Sequence, residues 1–160
     1  MAKNVPLILL SAAICAALPA FAQDSDPDAW RKPDQLVRAL QLKRSDVVAV
    51  VELQAFLAPL ISDRVHSLVN LDDAPEHSID VVVLYDALHG VDHRSKFYPK
   101  LRRALRGRVV NIDFFRDPPS SSPPDPKLPE PQAVEEFITA GFHITKTVSF
   151  LPFQYFQVFN

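Results

Sequence analysis

This 160-residue chain has a single cysteine, Cys15, and only three glycines, Gly90, Gly107 and Gly141. The cysteine sits in an apolar N-terminal stretch. Everything after it is therefore without a disulfide, a thiol nucleophile or a thiolate metal ligand. The three glycines are far apart, so the chain has no glycine-rich loop of the kind that lets backbone approach a ligand closely. A large charge of one sign is also missing. Seventeen basic and nineteen acidic side chains leave a net charge of −2, which gives no general drive toward nucleic acid or anionic membranes. No internal repeat is visible. Ser120-Ser121-Ser122 has no G-x-S-x-G context for a serine nucleophile. His89 and His93 have the i, i+4 spacing of a zinc helix, but no glutamate follows the first, Asp92 sits between them in a predicted loop, and no metal is expected.

The N-terminus reads as a secretory leader. Lys3 gives a short positive start, 5–18 is an apolar run, and Ala20-Phe21-Ala22 fits an A-x-A cleavage site. The run is shorter than the roughly 18–20 residues that a membrane span needs; an uncleaved anchor is the other reading. Cys15 lacks a lipoprotein context. Cleavage near Ala22-Gln23 would export the chain to the periplasm or beyond, remove Cys15 and Lys3, and leave a product with no membrane segment. Residues 23–29 begin acidic and polar and are expected to lie outside the fold, leaving one domain at 30–160.

Hydrophobic spacing predicts the rest. Helices are expected over 33–42, 55–65, 95–105 and 132–140, and strands over 46–51, 67–71, 79–84, 108–114, 142–150 and 154–159. The run 79–84 is uniformly apolar, as in a strand covered on both faces. Lys96, Lys100, Arg102, Arg103 and Arg106 form the wet face of the third helix. No aromatic residue interleaves them, so a solvated face rather than a nucleic-acid site is expected. Gly107 and Gly141 suit helix stops. Residues 117–131 hold seven prolines and read as an extended loop. The short turn at 151–153 implies that the last two strands pair as an antiparallel hairpin. The alternation predicts an α/β fold of six strands, mainly parallel.

The strongest unit is strand, acidic turn, basic helix, strand, over 79–115. With the segments Arg31-Lys32-Pro33-Asp34-Gln35-Leu36-Val37, Tyr85-Asp86-Ala87-Leu88-His89-Gly90-Val91, and 140–142 with 150–159, it resembles the class I S-adenosylmethionine (SAM) dependent methyltransferases over most of residues 30–159. The resemblance implies a Rossmann-like sheet ending in an antiparallel hairpin, SAM as cofactor, and methyl transfer to a small-molecule or protein acceptor. It also implies a crevice at the carboxyl ends of the strands, where open α/β sheets bind ligands. Glu52 and Gln54 would flank SAM after the first strand, and Asp72 or Asp73 would grip its ribose. Asp86 and His89 would lie near the transferable methyl group, Asp86 also binding the cofactor, and His89 (unperturbed pKa ~6.5) or Asp86 would take a proton.

Two departures oppose this. The family's glycine loop after the first strand is replaced by Val51-Glu52-Leu53-Gln54-Ala55-Phe56. Only residues 74–78 separate Asp73 from Ile79, too few for the family's next helix and its third strand. A methyltransferase-like binding module without catalysis is therefore the alternative. Each named residue also has a plain reading: Asp72 as a solvated turn carboxylate, Asp86 as a helix cap, His89 as a half-buried ring. The C-terminal aromatics read as hairpin core, with Tyr155 the one that could reach the cleft.

Overall fold

The computed structural model describes residues 29–117 and 127–160. The leader, Cys15, residues 23–28 and the serine run lie outside the described residues. The chain runs through α1 (Pro33–Leu40), β1 (Val47–Glu52), α2 (Leu57–Ile61), β2 (Ser67–Val69), β3 (Ile79–Tyr85), α3 (Arg94–Ala104), β4 (Leu105–Phe114), α4 (Glu130–Thr139), β5 (Ile144–Val148) and β6 (Gln154–Phe159). The strands form one sheet in the order β2-β1-β3-β4-β6-β5. β2, β1, β3 and β4 are parallel, and β6 enters antiparallel between β4 and β5. This is the six-stranded, mainly parallel sheet with a terminal hairpin that the sequence predicts. Among the described residues, no helix is long and apolar enough to cross a membrane.

Alternating side chains of β3 feed two cores. Val81, Val83 and Tyr85 face Leu36 and Leu40 of α1 and Leu57 and Ile61 of α2. Val82 and Leu84 face Tyr98 and Leu101 of α3 and Phe137 of α4. On the second face the Phe137 ring stacks on Phe159 at 4.1 Å between centroids, and Tyr98 meets Phe137 edge-on at 5.0 Å. Covering both faces is what a parallel sheet requires.

Three local expectations change. The second helix, expected over 55–65, spans only Leu57–Ile61, with Pro59 in its short first turn. Ala29, expected before the fold, opens a 3-10 turn, Ala29–Arg31. Gly107 does not stop α3, because the helix passes directly into β4 after Ala104. Its role is close approach: a Cβ there would sit 2.0 Å from the Asp80 carbonyl oxygen, next to the register shift between Ile79 and Val81. Gly141 does end α4. Its φ is +86°, and Gly141 N–H and Phe142 N–H donate to Ile138 O and Phe137 O, a Schellman closure.

The amino ends of three strands are tied by one carboxylate. Asp80 accepts from the Val47 N–H at 2.8 Å and takes both arms of Arg106 at 2.6 and 2.8 Å. The Arg106 guanidinium holds the Asp80 carboxyl down at about 2.

Gly107→Ala is expected to lower folding stability by about 2–3 kcal/mol, because backbone rather than a yielding side chain must move. An unchanged urea midpoint would contradict the close approach.

Candidate functional site

The sheet order reverses between β1 and β3, and ligands of open α/β sheets bind at such a point beyond the carboxyl ends of the strands. Here Glu52 and Tyr85 are register partners at those ends. Beyond Tyr85 the chain turns sharply at Asp86, whose φ is +52° and whose N–H donates to Ile112 O of β4 at 2.8 Å. The following 3-10 turn, Leu88–Gly90, brings His89 over the end of β4.

His89 meets Asp113 there. Its Nδ1 lies 2.7 Å from Asp113 Oδ1, and its backbone N–H donates to Asp113 Oδ2 at 3.0 Å. Asp113 is fully buried and also accepts the Phe114 N–H. The short bond to a carboxylate puts the His89 proton on Nδ1 and leaves Nε2 as the acceptor, the arrangement that makes an imidazole a general base. Asp86 completes the group. Its Oδ1 lies 3.8 Å from His89 Nδ1 and is buried without a hydrogen-bond partner among the described residues. Burial, and next the neighbouring Asp113 charge, push the Asp86 carboxyl up to about 6. The bond to Asp113 raises His89 above its ordinary value against the opposing effect of burial. One ligand atom from each of Asp86, His89 and Asp113 falls within 4.8 Å of the others, a grouping that could hold a cation.

The other residues named from the sequence lie apart from this group. Glu52 sits at the carboxyl end of β1, but its carboxylate accepts the N–H groups of Phe56, Leu57 and Ala58 at 3.2, 2.7 and 3.2 Å. It caps the first turn of α2. Gln54 is exposed, and its carbonyl accepts the Phe56 N–H. Asp72 and Asp73 are exposed past β2, and Asp72 pairs with Lys100 at 2.7 Å. The Tyr155 hydroxyl donates to Leu128 O in the interior rather than in the cleft.

Sequence reasoning missed Asp113. The available signal was Asn111-Ile112-Asp113, two polar residues on one face of a strand that is otherwise apolar. It also missed the aromatic cover of the crevice. Phe56 stacks on Tyr85 at 5.3 Å and 26°. The Arg31 guanidinium lies over both Phe56 and Trp30, at 4.5 and 5.1 Å.

These residues do not fit SAM. Five consecutive side chains, Glu52 to Phe56, stand where the resemblance implies a glycine loop of bare backbone. The N–H groups of α2 are spent on Glu52, and the ring of Phe56 is packed onto Tyr85. A Cβ placed on Gly90 would lie 3.4 Å from the Leu53 side chain, so Leu53 covers the other rim.

Order, polarity and the terminal hairpin define the class I methyltransferase fold. Solved structures agree. A SAM-dependent methyltransferase from Aquifex aeolicus superposes with a TM-score of 0.65 at 14% identity, covering 84% of this chain and 93% of that one. An S-adenosylmethionine-dependent methyltransferase from Mesorhizobium loti gives 0.53 at 11% identity, over 83% and 98%. The 1,6-didemethyltoxoflavin-N1-methyltransferase of Burkholderia thailandensis, solved with bound 1,6-didemethyltoxoflavin and S-adenosylhomocysteine, gives 0.54 at 18% identity, over 82% and 78%. No protein-family model and no curated protein matches this sequence.

Both shifts in the cluster are upward, so the folded protein keeps protons that the unfolded chain releases: between pH 3.8 and about 6 for Asp86, and above 6.5 for His89. Stability from these groups is present in mild acid and lost as pH rises through 6 and beyond. Asp86→Asn, which also suits a positive φ, is expected to raise stability at pH 8 by about 1–2 kcal/mol. It should flatten the decline between about pH 4 and pH 6 in thermal melts; a steeper decline there would contradict the assignment.

Proposed function

We propose that this protein is a methyltransferase-fold binding module that does not use SAM, exported by its N-terminal leader. The observation that carries this reading is the closed switch point, where Glu52 takes the backbone N–H groups of Phe56, Leu57 and Ala58 at the start of α2 and Phe56 stacks on Tyr85. A fold does not carry its usual function with it when the site residues are replaced. The export expected from the leader-like sequence agrees with this reading, since SAM is made in the cytoplasm.

SAM-dependent methyl transfer to a small-molecule or protein acceptor is the second reading. One specific observation favours it. The Asp113–His89 pair, with Asp86 beside it, retains the geometry of a general base at the crevice.

Calorimetric titration of the purified protein with SAM and with S-adenosylhomocysteine separates the two. The expected result is no detectable heat up to millimolar ligand. Submillimolar binding that weakens in Asp72→Ala or Glu52→Gln would overturn the proposal in favour of the transferase.

A further inference from the structure

A cavity lies away from the crevice, on the outer side of the sheet between α3 and α4. It is an open groove of about 1080 Å³, the size class that holds a small organic ligand. It follows α3 from Val91 and His93 at one end to His77 and Arg103 at the other. The helix has 11 residues, so the groove is about 15 Å long. Tyr98, Pro99 and Ala140 supply its apolar lining.

Its charges are unevenly spent. Arg94 and Glu136 neutralise each other through two hydrogen bonds of 2.7 and 2.9 Å, with Tyr98 OH also donating to Glu136. Arg102 is held by the carbonyls of Ala140 and Gly141 and lies over the Phe142 ring at 5.3 Å. Those partners are neutral, so its positive charge remains. Arg103 lines the groove with no side-chain hydrogen bond or ion pair among the described residues. Glu135 is the one acidic side chain of the lining left unpaired. The balance of the free groups is positive by one charge.

We propose that this groove is a ligand site for an amphiphilic monocarboxylate, its apolar body along Tyr98 and Pro99 and its carboxylate on Arg103. A guanidinium offers a carboxylate two parallel hydrogen bonds, which a point cation does not. The elongated apolar lining takes a body longer than that of a free inorganic anion. The site is separate from the crevice and is independent of whether SAM binds.

The test is titration with 2-naphthoate, followed by amide chemical shifts and by calorimetry, with 2-naphthalenemethanol as the uncharged comparator. Expected are saturable shifts concentrated on residues 91–103 and 135–141, and affinity about tenfold lower for the alcohol. Arg103→Glu should weaken binding about tenfold or more. Thr139→Trp, at an exposed lining position, should abolish it by filling the groove. Both substitutions are on the surface, and a melting temperature equal to that of the unmodified protein verifies the fold of each. Equal affinity for the alcohol, undiminished binding in Arg103→Glu, shifts centred on Asp86, His89 and Asp113, or no saturable shift would each overturn the proposal. None of these outcomes alters the calorimetric result with SAM.

Discussion

Strand β3 has almost no side chain turned to water. Six of its seven residues, Ile79 and Val81 to Tyr85, are buried, and the exception, Asp80, is engaged by Val47 and Arg106. A strand buried on both faces must be roofed twice, so α1 with α2 and α3 with α4 are obligatory partners rather than decoration. Burying apolar area at roughly 25 cal/mol per Å² is the main force available to a chain without disulfides. The position of the crevice follows, because β3 carries its chemistry at the one end where the chain must leave the sheet.

At that end two demands collide. The turn after β3 must place a left-handed residue, and Asp86 occupies it, with a carboxylate half-buried between an imidazole and a second carboxylate. Burial penalises the charge of Asp86, and Asp113 adds repulsion. The cluster is therefore tense at neutral pH and relaxed in mild acid. Asp113 resolves its own burial differently, by accepting two backbone N–H groups and a ring N–H. One carboxylate is thus structural and oriented while its neighbour holds unused capacity, an asymmetry common where a fold keeps chemical potential.

Legibility divided along sequence distance. The apolar run 79–84, the glycine at 141 and the short turn at 151–153 are local signals, and each maps onto an observed element. The separation of Asp73 from Ile79 counted the strands correctly, since it concerned chain length alone. What depends on tertiary approach was not legible. Gly107 reads as a helix stop until Asp80 is known to pass beside it. Asp113 reads as one more residue of β4 until the turn at 88–90 lays His89 on it. Glu52 was expected to serve a ligand, yet the shortened turn folded the next helix onto its carboxylate.

The seam between α3 and β4 has a further consequence. Helix and strand abut at Ala104 and Leu105 with no connecting residue. A single residue inserted there would rotate the whole of α3 by about 100° relative to the sheet or exchange the two faces of β4. The segment at 53–56 lies outside the strands and carries no such constraint. The join of α3 to β4 has no slack, so a change of length there costs the packing of a whole face of the sheet.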